Sequence, residues 1–390
     1  MDGLLAITIV LIVYAVGDLI SAKTRSLVPM MFVASVIFMV GFWAGLPTTL
    51  FKDAQLIGFG SLMIGLLITH MGTLMNLKEL IKQWKTVVIA LAAVIGIGIF
   101  LFVVGSPIIG REYAIASAPP IAGGVVAALI MGDAAKAAGF EDLAVFATIL
   151  VVVQGFVGFP VASFCLSRES KRILKEGANG QNNVAEATEQ GAASTKKTLL
   201  PPLPKDLQTT FVLLAKLSIV ALLSFKLAEL TGGIVHKYVM CLFMGVITCE
   251  LGFLEKDIMT KANALGLAMV GLMAVVFASL TQATPEMLKS LLLPIVGSLM
   301  MGATGIAIFS SLTGKILGQS MYMSIAIGMS ALFGFPGTFI LSNEVANANG
   351  KTEEERKMIL DEILPKMLIS GFITVTIASV VLAGSMSKLF

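Results

Sequence analysis

The sequence predicts an all-α polytopic membrane protein: two inverted repeats of five transmembrane helices, each with a re-entrant hairpin between its fourth and fifth helix. Three observations predict it. The 390 residues are 57% hydrophobic and only 13% charged, and the mean hydropathy is +0.93, whereas a soluble domain is about a quarter charged. Two apolar stretches, Ala116–Asp133 and Ser330–Asn343, are interrupted at their middles by glycine and proline. The basic residues between apolar segments fall on one side only if each interrupted stretch enters and leaves on the same face.

The N-terminal Met1-Asp2-Gly3 lacks the basic region of a signal peptide and is read as the start of the first span, beginning outside. Spans of about 20 apolar residues follow at 4–22, 27–46, 56–76, 86–106 and 143–166, then at 209–231, 236–254, 262–281, 290–312 and 359–386. The first repeat is thus 1–166, with its hairpin at 112–133. The second is 208–390, with its hairpin at 320–347. Between them 167–207 is small and polar, ends in Pro201-Pro202-Leu203-Pro204, and reads as a flexible cytoplasmic linker. The halves look like a diverged duplication. Thr73 answers Thr281, Leu77–Leu80 answers Pro285–Leu288, and Gly132-Asp133 answers Ser342-Asn343, at offsets of about 208–210.

Charge sets the orientation. Lys23 and Arg25, then Lys78, Lys82 and Lys85, then Arg168, Lys171, Arg172 and Lys175 share a side only if 112–133 is a hairpin. In the second half Lys256, Lys261, Lys315, Lys351, Arg356 and Lys357 agree if 320–347 is another. About 18 basic residues then face the cytoplasm and about six the outside. Both termini lie outside, and small tidy loops fit a bacterial inner membrane. The competing reading is a pair of kinked transmembrane helices. From Glu112 to Gly123 a helix covers roughly 16 Å, half a bilayer core, so the hairpin length is feasible.

Composition excludes other classes. The net charge of +3 is dispersed among loops and gives no nucleic-acid surface. Cys165, Cys241 and Cys249 lie in apolar spans without disulfide or transition-metal spacing. The 22 methionines read as adaptable core filler. No ATP-binding motif or enzymatic constellation stands out, so the chain is expected not to be an enzyme and to need no organic cofactor.

Interrupted segments at matching places in two halves point to a transporter's binding site. At each tip a half-helix begins after the glycines, where free N–H groups and a positive dipole end favour an anion. Gly123, Gly124, Gly334, Gly337 and Thr338 are therefore expected to hold a solute carboxylate. The bland reading is close packing through small residues. Thr69, Thr73 and Asn76 share a face of the third span, with Thr281 and Thr284 as counterparts, and line the pathway or tie helices together. Gln154 is a polar residue inside a span and a pathway candidate. Asp133, Ser342, Asn343 and Thr281 offer oxygen to a hard cation, or cap helices. His70 is read as a packed neutral side chain before a proton carrier. Lys216, Lys226 and Glu229 are either functional or snorkelling. Lys351–Lys357 reads as a solvated loop and helix start.

On these residues the chain resembles the bacterial sodium/glutamate symporter family and its wider class with 2-hydroxycarboxylate transporters, over nearly its whole length. Gly123-Gly124-Val125-Val126 keeps the paired glycines of that family's tip signature and lacks the last. Gly334-Phe335-Pro336-Gly337 keeps the outer glycines, and Ala138-Gly139-Phe140 and Gly155–Pro160 are also similar. The resemblance implies sodium as coupling ion, a small carboxylate or amino-acid solute, and elevator movement of a hairpin-bearing domain against a homodimeric scaffold. The leading expectation is sodium-coupled symport of a small carboxylate-bearing solute. The alternatives are a proton-coupled carrier or exporter on the same fold, with His70 and Asp133 as titrating groups, and an intramembrane aspartyl protease using Asp18 and Asp133.

Overall fold

Glycine- and proline-marked breaks, rather than loops, divide much of the chain. The computed structural model describes residues 1–74, 83–184, 203–231, 237–282 and 284–390. Among these every regular element is helical. Six helices are long and apolar enough to cross a membrane: Gly3–Thr24 (α1), Leu56–Leu74 (α3), Trp84–Ile109 (α4), Glu141–Glu176, Thr210–Leu230 (α9) and Leu292–Ile316 (α12). Met30–Trp43 (α2), Lys237–Glu250 (α10) and Leu265–Ala278 (α11) are shorter apolar helices. A polytopic all-α membrane protein is what these elements make.

Further helices come from the interrupted stretches and the segments that follow them. Arg111–Ile121 (α5) and Val125–Ala137 (α6) flank the first break. Glu141–Val153 (α7) runs into Gly155–Val184 (α8) with a step at Gln154. Met321–Met329 (α13) and Gly334–Asn349 (α14) flank the second break. Glu353–Ile373 (α15) continues through one π turn, Thr374–Ala378, into Ser379–Met386 (α16).

The linker differs from its sequence reading. Helix α8 runs on to Val184, so 167–184 is not loop. Arg172 pairs with Glu169 and Glu176, three and four residues away, and such pairs support an exposed helix where composition alone reads as coil. Residues 185–202 lie outside the described residues, as do Asn76 and Leu77–Leu80.

The chain divides into two units. The first holds Met1–Val10, Thr49–Lys82 and Gln181–Ala278. Its centre is α3, packed between α10 and α11. A Cβ on Gly60 would sit 2.1 Å from the Gly271 carbonyl oxygen, and one on Gly245 would sit 2.2 Å from that of Thr69. Small residues thus let the backbones meet, which is how helices associate without a hydrophobic driving force between them. His70 is fully buried here; its Nδ1 accepts the Met259 N–H at 3.4 Å, and Nε2 lies 3.7 Å from Asp257. Lys216 pairs with Glu255 at 2.5 Å and lies over the Phe253 ring. Lys226 and Glu229 form an exposed pair.

The second unit holds Leu11–Thr48, Gln83–Gly180 and Ser279–Phe390. Helices α4 and α12 run against each other, and Gly305 and Gly96 mark their closest approach. Both arms of the first break pack on α7, and both arms of the second pack on α15. The turn Ser279–Gln282, which carries Thr281, packs on α2 and α7.

Candidate functional site

The first break is a tight turn. Gly123 has φ +100°, a conformation that favours glycine, and its N–H donates to the Pro120 carbonyl at 2.9 Å. Gly124 is extended and stands just before α6, with no side chain capping that helix. The second break has the same logic with different residues. Gly334 takes φ +54°, Phe335 is extended at φ −77°, ψ 136°, and the Phe335–Pro336 bond is cis. The Phe333 N–H donates to the Ser330 carbonyl at 3.3 Å. Pro119, Pro120 and Pro336 cannot donate backbone hydrogen bonds, so these turns cost fewer unpaired N–H groups than other sequences would.

The two breaks meet. A Cβ on Gly123 would lie 2.0 Å from the Ala331 carbonyl oxygen and 2.8 Å from the Val375 side chain. One on Gly334 would lie 2.5 Å from the same Val375, and one on Gly124 would lie 2.5 Å from Ser379 Oγ. The π turn Thr374–Ala378 and the start of α16 are thus the floor on which both tips rest. Single π turns inside α-helices recur at functional sites.

Aromatic rings hold the second tip. Phe333 stacks on Phe159 at 4.6 Å, and Phe335 stacks on Phe372 at 5.4 Å. Gly337 fits under Phe159 and Phe333, while Gly158 fits against Leu332 and Phe333. The start of α8 and the end of α15 therefore grip the tip from two sides.

Polar side chains gather here in an apolar setting. Ser330 and Ser370 share a hydrogen bond of 2.9 Å, and Thr374 donates to the Ser370 carbonyl at 2.9 Å. Thr338, fully buried, packs on Gly371. Its Oγ1 has no partner, nor does Oε1 of Gln154, a residue only 3% exposed. Buried polar atoms are nearly always paired, and one without a partner calls for an explanation such as an absent ligand. Gln154 sits one turn before Gly158, where its carbonyl accepts the Gly158 N–H at 3.0 Å.

Gly123, Gly124, Gly334, Gly337, Thr338 and Gln154 all belong to the second unit, and the tips bring the first five into one neighbourhood. Thr73 belongs to the first unit, buried, with its hydroxyl donating to the His70 carbonyl at 2.6 Å. The residues expected at a cation are placed as follows. Asp133 is exposed on α6, Ser342 Oγ donates to the Thr338 carbonyl, and Asn343 Nδ2 donates to the Phe339 carbonyl. Sequence reasoning missed Val375, Ser379 and the Ser330–Ser370 pair. The only signal was Ser370, Thr374 and Ser379 recurring every four or five residues in an apolar run. It also missed Lys366, 7% exposed on α15 and paired with Glu362.

Among the described residues no group of three or more His, Cys, Asp and Glu could hold a metal ion. Compared with family models the chain matches none, and comparison with curated proteins gives no match.

Proposed function

We propose that this protein is a secondary active transporter, coupling sodium to the movement of a small carboxylate-bearing solute. The observation that carries the reading is the meeting of two glycine-marked helix breaks beside the buried, unpartnered Thr338 hydroxyl, with the unpartnered Gln154 Oε1 one turn from the Gly158 that packs on the second tip. In an apolar medium, broken backbone is tolerated only inside protein or against a water-filled cavity. Two half-helices starting at one place present N–H groups and dipole ends to an anion.

The inverted-repeat reading draws support from pairs of close approach. Gly60 meets Gly271 in the first unit; in the second, Gly96 meets Gly305 and Gly123 meets Ala331. The members of each pair lie about 210 residues apart, the offset expected of equivalent positions facing each other across a pseudo-twofold axis. On this reading α5–α6 and α13–α14 are re-entrant hairpins from opposite faces. Elevator movement needs a carrier body distinct from a scaffold. The division into two units, with both breaks in one of them, fits that need. The linker then lies in the cytoplasm of a bacterial cell and the scaffold forms a homodimer.

The test is solute counterflow in proteoliposomes across a panel of amino and organic acids. Uptake is expected only with sodium present. Uptake that follows a pH gradient and ignores sodium would transfer the assignment to the proton-coupled alternative, and no uptake of any such solute under either gradient removes it.

A further inference from the structure

We infer that Glu344, with Ser21 and Ser26, forms the sodium site of this protein, a place the sequence motifs did not indicate. The inference rests on the transport reading for its purpose but not for its chemistry.

Glu344 lies on α14, two turns beyond Thr338. Its Oε1 accepts the Met30 N–H at 2.7 Å and the Ser21 hydroxyl. Its Oε2 is buried and has no partner. Glu344 has no ion pair among the described residues, and Lys23 and Arg25 on the neighbouring turn are exposed. Asp18, one turn before Ser21 on α1, adds negative charge nearby. A carboxylate removed from water without a counter-charge is strongly disfavoured, and the remedies are a proton or a cation.

The surrounding oxygens favour the cation. Ser21 is 1% exposed, and Ser26 and Ser163 are fully buried. Ser21 Oγ and Ser26 Oγ are 3.5 Å apart, and Ser26 Oγ donates to the Glu344 carbonyl at 3.1 Å. Ser163 donates to the Ser26 carbonyl, which anchors the turn to α8. Ser26 is held at φ +57°, a conformation L residues seldom adopt, in a turn that also has Arg25 at φ +53°. The chain thus bends sharply to bring one hydroxyl to the Glu344 carboxylate and a second to its backbone carbonyl, beside a carboxylate oxygen with no partner. A carboxylate oxygen, hydroxyls and a carbonyl are the ligands of a hard cation. A protonated carboxyl would need one acceptor and no such gathering. The site also ties α14, which carries Thr338, to α1 and α8, so its occupancy bears on how the second tip is held.

The test uses the full chain in detergent, with thermal unfolding followed as sodium chloride replaces choline chloride at constant ionic strength and no solute is present. Sodium is expected to raise the melting temperature of the wild type. Glu344→Gln should abolish the shift, and Ser26→Gly, which suits the turn and removes the hydroxyl together with its Cβ, should raise half-saturation about tenfold or more. If Glu344→Gln does not fold, Ser26→Gly alone decides. Wild-type sodium affinity in either variant overturns the assignment, as does a wild type that ignores sodium and is stabilised only by acid. Because no solute is used, a sodium shift that survives the failure of every transport assay would separate this site from the transport reading.

Discussion

Replacing Gly123 with alanine tests whether the two tips form one joint. The residue sits at φ +100°, where an L side chain costs about 1–2 kcal/mol. The new Cβ would lie 2.0 Å from the Ala331 carbonyl oxygen, a full ångström short of the 3.0 Å that real Cβ contacts keep. That neighbour is backbone of the second tip and cannot rotate away. Forcing such tips apart costs what overpacking costs, about 1–3 kcal/mol, for a total of about 2–5 kcal/mol. Gly139→Ala isolates the first contribution: Gly139 has φ +86° and open space where its Cβ would go. In thermal unfolding of the purified protein, Gly139→Ala should lose only the backbone share. Gly123→Ala should melt several degrees lower still, taking about 2 °C or more per kcal/mol. The solute shift should vanish with it. Equal melting temperatures for the two variants would refute the reasoning, because they would mean that nothing rigid faces Gly123.

Three further outcomes are expected. Thr338→Val and Gln154→Leu each remove a buried polar atom without a partner, so the unliganded protein should gain about 1 kcal/mol while solute-induced stabilisation disappears; retained solute response would place the ligand elsewhere. Lys216→Met leaves the Glu255 carboxylate buried alone and should cost about 3–5 kcal/mol, most of it recovered in the Lys216→Met, Glu255→Met double variant; a double-mutant cycle in denaturant measures the coupling. Thr352 accepts the Glu355 N–H at 3.2 Å at the start of α15, so Thr352→Ala should cost about 1 kcal/mol, read as a lower melting temperature.

What the sequence could show depended on whether the cause was local. The breaks at Gly123-Gly124 and Gly334–Gly337 were legible because positive φ and a missing donor are properties of the residues themselves. The start of α15 was legible as a helix start within the charged run Lys351–Lys357, because such a run is solvated rather than buried. Thr338 and Gln154 stood out as polar residues in apolar runs. The meeting of the tips was not legible, since Ala331 and Val375 carry no mark of what they touch. Nor was Glu344: its partners Ser21 and Met30 are more than 300 positions away. The helical extension to Val184 was obscured because small polar residues read as coil, whereas the Arg172 pairs are visible only once a helix is assumed.

The way the breaks are satisfied narrows what they can recognise. A broken helix in an apolar medium frees N–H and C=O groups that must find partners. Here the turns partner themselves: Gly123 N–H meets the Pro120 carbonyl and Phe333 N–H meets the Ser330 carbonyl. The atoms left over are on side chains, an amide and a hydroxyl, and neither carries charge. Lys366, the buried cation of α15, is already matched by Glu362. An anion at this joint would therefore be held by helix starts and neutral dipoles rather than by a side-chain cation. Such a site suits a single carboxylate, whose charge a helix end can partly balance, and penalises a second one, which would need a bidentate cation. A monocarboxylate or a zwitterion fits that balance, and a dicarboxylate would have to bring its own counter-ion.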